Sequence, residues 1–184
     1  TKWNFHRHTP GIGVGGHCIP VDPYYYIELS EKAGFPSSLA TASRKINNSM
    51  PINSAHEILR ILENVDRPRV LVMGYSYKAN VGDTRETPVK PMINRLKDSG
   101  CETIVIVTNS DLSFDILSES KGATVVINPA PENGRTGSIH CGLMSLGTEN
   151  GKMPKRVLIV PVDRCGWTME TVLQLLEQYS SCSP

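Results

Sequence analysis

"RPRVLVMGYSYKANVGDTRETP", residues 67–88, is where the periodicity of the chain changes. Val70, Leu71, Val72 and Met73 form a short unbroken apolar run that ends at Gly74, the pattern of a strand buried on both faces. Thr87-Pro88 then opens a helix, because threonine caps and proline fits the first helical position. On that helix Val89, Met92, Ile93 and Leu96 fall on one face, and Gly100 stops it. "ETIVIV" (102–107) reads as a second buried strand, "SDLSFDILSESKG" (110–122) as a helix and "ATVVIN" (123–128) as a third strand. Strands alternating with helices predict an α/β fold with a parallel sheet.

Downstream, "PAPENGRTGSIHCGLMSLGTENGKMPK" (129–155) is rich in glycine, proline and polar residues, shows no sustained period, and reads as a long loop. "RVLIVPV" (156–162) resumes the sheet, and Met169, Val172, Leu173 and Leu176 give a last helix its apolar face. Upstream the chain reads as helical. One helix runs from Pro23 to Gly34, a second starts at Ser37 or Ser38, and a third, "PINSAHEILRILENV" (51–65), is buried through Ile58, Leu59, Ile61 and Leu62.

The 184 residues carry 19 basic and 18 acidic side chains, so no global field recruits nucleic acid or an anionic membrane surface. No apolar run approaches the ~20 residues of a membrane span, and the first residues lack the apolar core of a signal peptide; a cytosolic protein is expected. Cys18, Cys101, Cys141, Cys165 and Cys182 are odd in number and contain no CxxC, which argues against a disulfide framework and against a zinc ribbon. The chain begins at Thr1, and a piece of a longer protein is expected.

"PGIGVGGHCIPVDPYYY" (10–26) leaves several readings open. Gly11, Gly13 and Gly16 satisfy GxGxxG, but no strand precedes them, and Pro20 and Pro23 block the immediate helix that a dinucleotide fingerprint needs. His6, His8, His17 and Cys18 are close in sequence without a familiar metal-ligand spacing, so no metal is expected. A structural glycine turn around a buried cysteine is the plain alternative. In the third reading Gly13, Gly15 and Gly16 let backbone amides approach a ligand, Cys18 is a nucleophile, and Asp22 orients a water or takes a proton.

The segment "PGIGVGGHCIPVDPYY" closely resembles the active-site cysteine segment of the UDP-glucose/GDP-mannose dehydrogenase family. "VLVMGYSYKANVGDTRETPV" (70–89) resembles the strand and loop that open that family's C-terminal UDP-sugar-binding domain. The resemblance runs from about Lys2 to Val107 and is weak beyond it. It implies an active-site loop with central, dimerisation helices in residues 1–66, and a Rossmann-like UDP-sugar-binding domain in 67–184. It implies NAD-dependent oxidation at C6 of a nucleotide sugar, with a homodimer formed through the central helices. By the same resemblance Cys18 is the nucleophile that carries the thioester and Asp22 organises the catalytic water. Thr9, Pro10, Gly11, Ile12, Gly13, Val14 and Gly15 wrap the UDP-sugar, Tyr77 and Lys78 meet it from the second domain, and Arg85 reaches the NAD. His17 stands where UDP-glucose enzymes usually have serine, which favours a UDP-N-acetylhexosamine such as UDP-N-acetylmannosamine or UDP-N-acetylglucosamine.

Departures from the family are equally specific. The dinucleotide-binding domain is not in the chain, which implies no turnover by the chain alone. "IVIVTNSD" lacks the expected aspartate-proline pair, Asp163 and Arg164 are adjacent where one residue should separate them, and the helix over 51–65 is short. A non-catalytic UDP-sugar-binding or dimerisation module, and a metal-dependent hydrolase using the histidines, remain as alternatives.

Overall fold

The computed structural model describes residues 11–66, 68–77, 82–101, 103–120 and 122–148. The expected contacts of Thr9, Pro10 and Lys78, the histidines at 6 and 8, and the strand and helix expected after residue 155 lie outside the described residues. The chain divides into two compact units, one of Ile12–Val157 and one of Thr1–Gly11 with Leu158–Pro184. Every strand and helix among the described residues belongs to the Ile12–Val157 unit.

Three strands, β1 (Arg69–Met73), β2 (Thr103–Thr108) and β3 (Thr124–Ile127), form a parallel sheet in the order β1-β2-β3. Val72 pairs with Ile106 and Ile106 with Val125, which sets one register across the sheet. Alternation then sorts the side chains. Val70, Val72, Ile104, Ile106 and Val125 face one layer, and Leu71, Val105, Val107 and Val126 face the other.

Helix α1 (Asp22–Lys32) ends where Gly34 takes a left-handed φ of +79° and the Phe35 amide donates to the Ser30 carbonyl. Helix α2 spans Ser38–Leu62, and its last third lays Ala55, Ile58 and Leu59 into the core of the first layer. Helix α3 (Val89–Asp98) buries Val89, Met92, Ile93 and Leu96 there, the face expected from its spacing, and Gly100 terminates it at φ +89°. A short helix, α4 (Ser113–Glu119), adds Ile116 to the same core.

Two sequence readings are corrected. The helices expected on either side of Pro51 are one 25-residue helix, α2, with Pro51 buried inside it. A proline has no N–H for the carbonyl four residues back, and the break that this favours did not occur. Gly13 passes close to this part of α2, where an added Cβ would lie 3.4 Å from the Asn47 carbonyl oxygen and 3.7 Å from Pro51 Cδ. The helix over 51–65 is therefore not a short helix of its own.

The second correction concerns residues 129–148, read as loop. They form a 3-10 turn, Pro131–Asn133, and helix α5, Gly134–Thr148. Helix α5 covers the opposite face of the sheet through Cys141, Gly142 and Leu146. A Cβ on Gly142 would come within 2.8 Å of Leu71 Cδ2 and 3.0 Å of Val107 Cγ2, so the helix sits closer to the sheet than a larger residue allows. Beside Leu146 the contact is made by small residues, which a hydrophobic period does not record.

Candidate active site

The site is built where the loop of residues 12–21 lies against residues 75–77 and 82–88, which follow β1. The Gly16 amide donates to the Arg85 carbonyl at 3.0 Å, and Arg85 Nη2 meets His17 Nδ1 at 3.2 Å. Guanidinium nitrogens only donate, so in this contact His17 Nδ1 is the acceptor. Val14 is tied to the other side, its amide donating to Asn47 Oδ1 of α2 at 3.0 Å.

The glycines of the loop permit this docking. A Cβ on Gly15 would stand 2.5 Å from Tyr77 Cβ and 2.9 Å from the Glu86 carbonyl oxygen. Gly16, at φ +96°, lies under the Tyr77 ring, whose Cζ would be 2.9 Å from an added Cβ. The close approach expected toward a ligand is thus made toward Tyr77, Glu86 and Pro88, and a longer side chain would lift the loop off them.

Cys18 is exposed and ends this loop. Its carbonyl accepts the amides of Val21 and Asp22 at 3.0 and 2.8 Å, a turn that leads into α1. Asp22 is the first residue of α1, where a negative charge suits the helix N-terminus.

Tyr75 and Thr87 are held from within. Tyr75 is buried, and its hydroxyl donates to Glu119 Oε2 at 3.2 Å. Burial, with the Glu119 carboxylate beside it, pushes the phenol up to about 12. The Thr87 hydroxyl donates to the Tyr75 carbonyl at 2.6 Å and accepts the Val89 amide at 3.3 Å. Thr87 therefore acts at the start of α3 as expected, but Pro88 occupies the cap position itself.

Asp83 gathers Arg85. Its Oδ1 accepts both the Arg85 backbone amide at 3.0 Å and Nε at 2.9 Å, and its Oδ2 accepts Nη2 at 2.7 Å. Those bonds, with the cationic guanidinium beside them, hold the Asp83 carboxyl well below the usual carboxylate range. Sequence reasoning missed Asp83, Thr87 as a tie to Tyr75, Tyr75 itself, and Asn47, whose side-chain oxygen holds the loop.

Behind the loop opens a cleft of about 820 Å3, lined among others by Val14, His17, Arg44, Asn48, Arg85 and Lys90. Of the expected site residues Val14 and Arg85 line it, whereas Cys18, Asp22 and Tyr77 do not. The structure thus brings Gly13, Val14, Gly15, Tyr77 and Arg85 into one assembly, with Cys18 and Asp22 at its rim. Among the described residues, no group of three His, Cys, Asp or Glu side chains is placed to hold a metal ion. No described helix is long and apolar enough to cross a membrane.

The model of the UDP-glucose/GDP-mannose dehydrogenase family, central domain, matches residues 1–49. The chain is 41% identical over 93 residues to the UDP-N-acetyl-D-mannosamine dehydrogenase of Methanocaldococcus jannaschii, which is 50% of this chain and 21% of that protein. It is 31% identical over 159 residues to the UDP-N-acetyl-D-glucosamine 6-dehydrogenase of Pseudomonas aeruginosa, 82% of this chain and 36% of that protein. Through its first part the chain belongs to the UDP-glucose/GDP-mannose dehydrogenase family. It spans about a fifth to about a third of the length of these relatives. The fold agrees: the UDP-glucose dehydrogenase of Pyrobaculum islandicum superposes with a TM-score of 0.58 at 24% identity, over 65% of this chain and 27% of that one.

A second model, the MobA-like NTP transferase domain, matches residues 73–183. That is more than half of the chain, so the chain also belongs to that family through its second part. The departures after "IVIVT" and at Asp163-Arg164 fall inside this match.

Proposed function

We propose that the chain contributes the thiol-bearing loop and the second nucleotide-facing domain of an NAD-dependent UDP-sugar 6-dehydrogenase acting on a UDP-N-acetylhexosamine. The observation that carries this reading is the docking of the Cys18 loop onto the segment of Tyr77 and Arg85. The two stretches are remote in sequence, and each carries a motif of the same reaction.

The chemistry asks little of the loop beyond an exposed thiolate. Cys18 Sγ adds to the C6 aldehyde carbon, the oxygen takes a proton, and a thiohemiacetal forms. Loss of hydride from that carbon together with the hydroxyl proton would leave a thioester, and a water activated near Asp22 would attack it, releasing the carboxylate and the Cys18 thiol. NAD, when bound, supplies the hydride acceptor. Arg85 fits one edge of it: the bonds to Asp83 and His17 use Nε and Nη2, and among the described residues the Nη1 donors are left for an anion. Thr9–Gly15 with Tyr77 and Lys78 would hold the UDP-sugar, and residues 1–66 and 67–184 remain the functional division of the chain. Tyr25, Leu29, Phe35 and Leu39 leave an apolar surface on and between α1 and α2, which supports homodimerisation through these helices.

A second reading is favoured by the MobA-like match and by α5. After β3 the chain crosses to the other face of the sheet, and ligands of open α/β sheets bind at the carboxyl ends of strands near such a reversal. Asn128 fixes this crossing: its amide donates to the Thr108 carbonyl at 2.7 Å and its Nδ2 to Ser138 Oγ at 3.1 Å. In this reading the sheet takes a nucleoside triphosphate.

Calorimetric titration separates the two. Saturable binding of UDP-N-acetylmannosamine or UDP-N-acetylglucosamine, lost in Tyr77→Ala, supports the first reading. Binding of a nucleoside triphosphate without any UDP-sugar binding replaces it by the second. In a form that carries a dinucleotide domain, Cys18→Ser should stop oxidation at the aldehyde, and undiminished acid formation removes the nucleophile.

A further inference from the structure

Arg85 makes two sets of bonds that point in one direction. Toward the loop it meets His17 Nδ1 through Nη2 and receives the Gly16 amide on its carbonyl. Both partners are within two residues of Cys18. Toward its own segment the guanidinium and the backbone amide both go to Asp83, which takes the amide, Nε and Nη2 on its two oxygens. The Asp83 side chain is 14% exposed and the Arg85 side chain 64% exposed. The carboxylate is the fixed member of the pair and the guanidinium the one that reaches out.

An exposed arginine, with its long rotatable stem, does not keep one orientation unaided. A carboxylate that binds the arginine's own amide and its Nε closes a small ring and limits those rotations. We propose that Asp83 is a positioning residue: it sets the Arg85 guanidinium against the thiol-bearing loop, and His17 completes the clasp. The inference rests on the reading of Cys18 as the reacting thiol and adds a residue that touches neither substrate nor thiol.

The ionisable groups around Cys18 define what should be measured. They are His17 and Asp22 on its own segment, Asp83, Arg85 and Glu86 on the facing turn, and Tyr77 on the stretch after β1. The Arg85 proton is held more tightly than usual, first by the Asp83 carboxylate and in smaller part by Tyr77 and Cys18. A cation held against the loop favours an anion beside it. Asp83 taken as a bare charge does the opposite, because an anion nearby disfavours a second one. The two roles therefore predict opposite signs.

The test is the pH profile of Cys18 alkylation by iodoacetamide in the full chain, followed on the Cys18 peptide by mass spectrometry so that the other thiols do not interfere. Asp83→Asn keeps an acceptor for the Arg85 amide and removes the charge that grips the guanidinium. It should raise the profile's midpoint by about 0.5 pH unit, roughly a three-fold slower reaction at neutral pH. Arg85→Gln should raise it equally, and the double variant should go no further. An unchanged or lowered midpoint in Asp83→Asn, with a raised one in Arg85→Gln, overturns the proposal, since Asp83 would then be only a counter-charge. An unchanged midpoint in both overturns it as well. Should Cys18→Ser leave acid formation intact while these shifts hold, the functional reading falls and the positioning role stands.

Discussion

The sheet with α3 and α5, and the loop with α1 and the first half of α2, are stabilised in different ways. In the first, Ile93, Leu96, Ile104, Ile106 and Ile116 are essentially inaccessible, and the sheet is sandwiched between helical layers. In the second, α1 buries no residue, and Phe35 and Leu39 are 82% and 78% exposed. One region closes its own core. The other is held by a few polar ties, Val14 to Asn47 and Arg85 to His17, and leaves its apolar side chains for something else to cover. The proposed reactive thiol belongs to the second region but is placed by the first.

The contrast is sharpest in the middle strand. Ile106 is fully buried on β2 between both neighbours, and Ile106→Ala should cost about 2–5 kcal/mol, lowering the midpoint of a urea titration. Loss of less than about 1 kcal/mol would mean that the sheet is not the stabilising centre of the chain. Gly142→Ala tests the other face. Its Cβ would enter the space of Leu71 and Val107, and we expect about 1–3 kcal/mol of destabilisation, although a helical glycine replaced by alanine is otherwise favourable. A stabilised variant would show that α5 does not sit this close to the sheet.

The sheet was legible in the sequence because burial on both faces writes itself as an unbroken apolar run, and α3 because its four buried residues repeat with the helical period. Helix α5 was not, since beside Leu146 its contact face is Gly142 and Cys141, with Ser138 near its start, and small residues leave no hydrophobic period. Helix α2 was cut in two at Pro51 because local rules place a break before a proline, and here the helix runs through it. The site divides similarly. Cys18 and Arg85 were found through the family motif that each carries. Asp83, which holds Arg85, was not, because a bond between residues two apart in a charged turn leaves no pattern.

Tyr75 anchors the end of β1 from which the loop's docking surface starts, and its effect is smaller and depends on pH. Tyr75→Phe removes the bond to Glu119 and should cost about 1 kcal/mol at neutral pH. The phenol titrates at about 12 in the folded chain against an ordinary 10.0, so the folded state binds its proton more tightly than the unfolded one. That advantage is complete below pH 10 and is lost as pH rises from 10 toward 12, with a limiting slope of about 1.4 kcal/mol per pH unit. Tyr75→Phe should flatten this part of the stability profile. An equally steep fall in the variant would place the alkaline transition on another group.

The smallest effect on stability should come with the largest effect on assembly. Phe35→Ser and Leu39→Ser remove side chains that touch little in the single chain, and each should change unfolding stability by no more than about 0.5 kcal/mol. Exposed apolar groups of this size cost a monomer solubility and are retained where a partner buries them. If a second copy covers α1 and α2, sedimentation equilibrium should show the parent chain dimerising and the double variant dissociating at the same concentration. Dimerisation that survives both substitutions would move the interface elsewhere. A large loss of stability from either one would mean that the helical region carries a core of its own, and the difference between the two halves of the molecule would disappear.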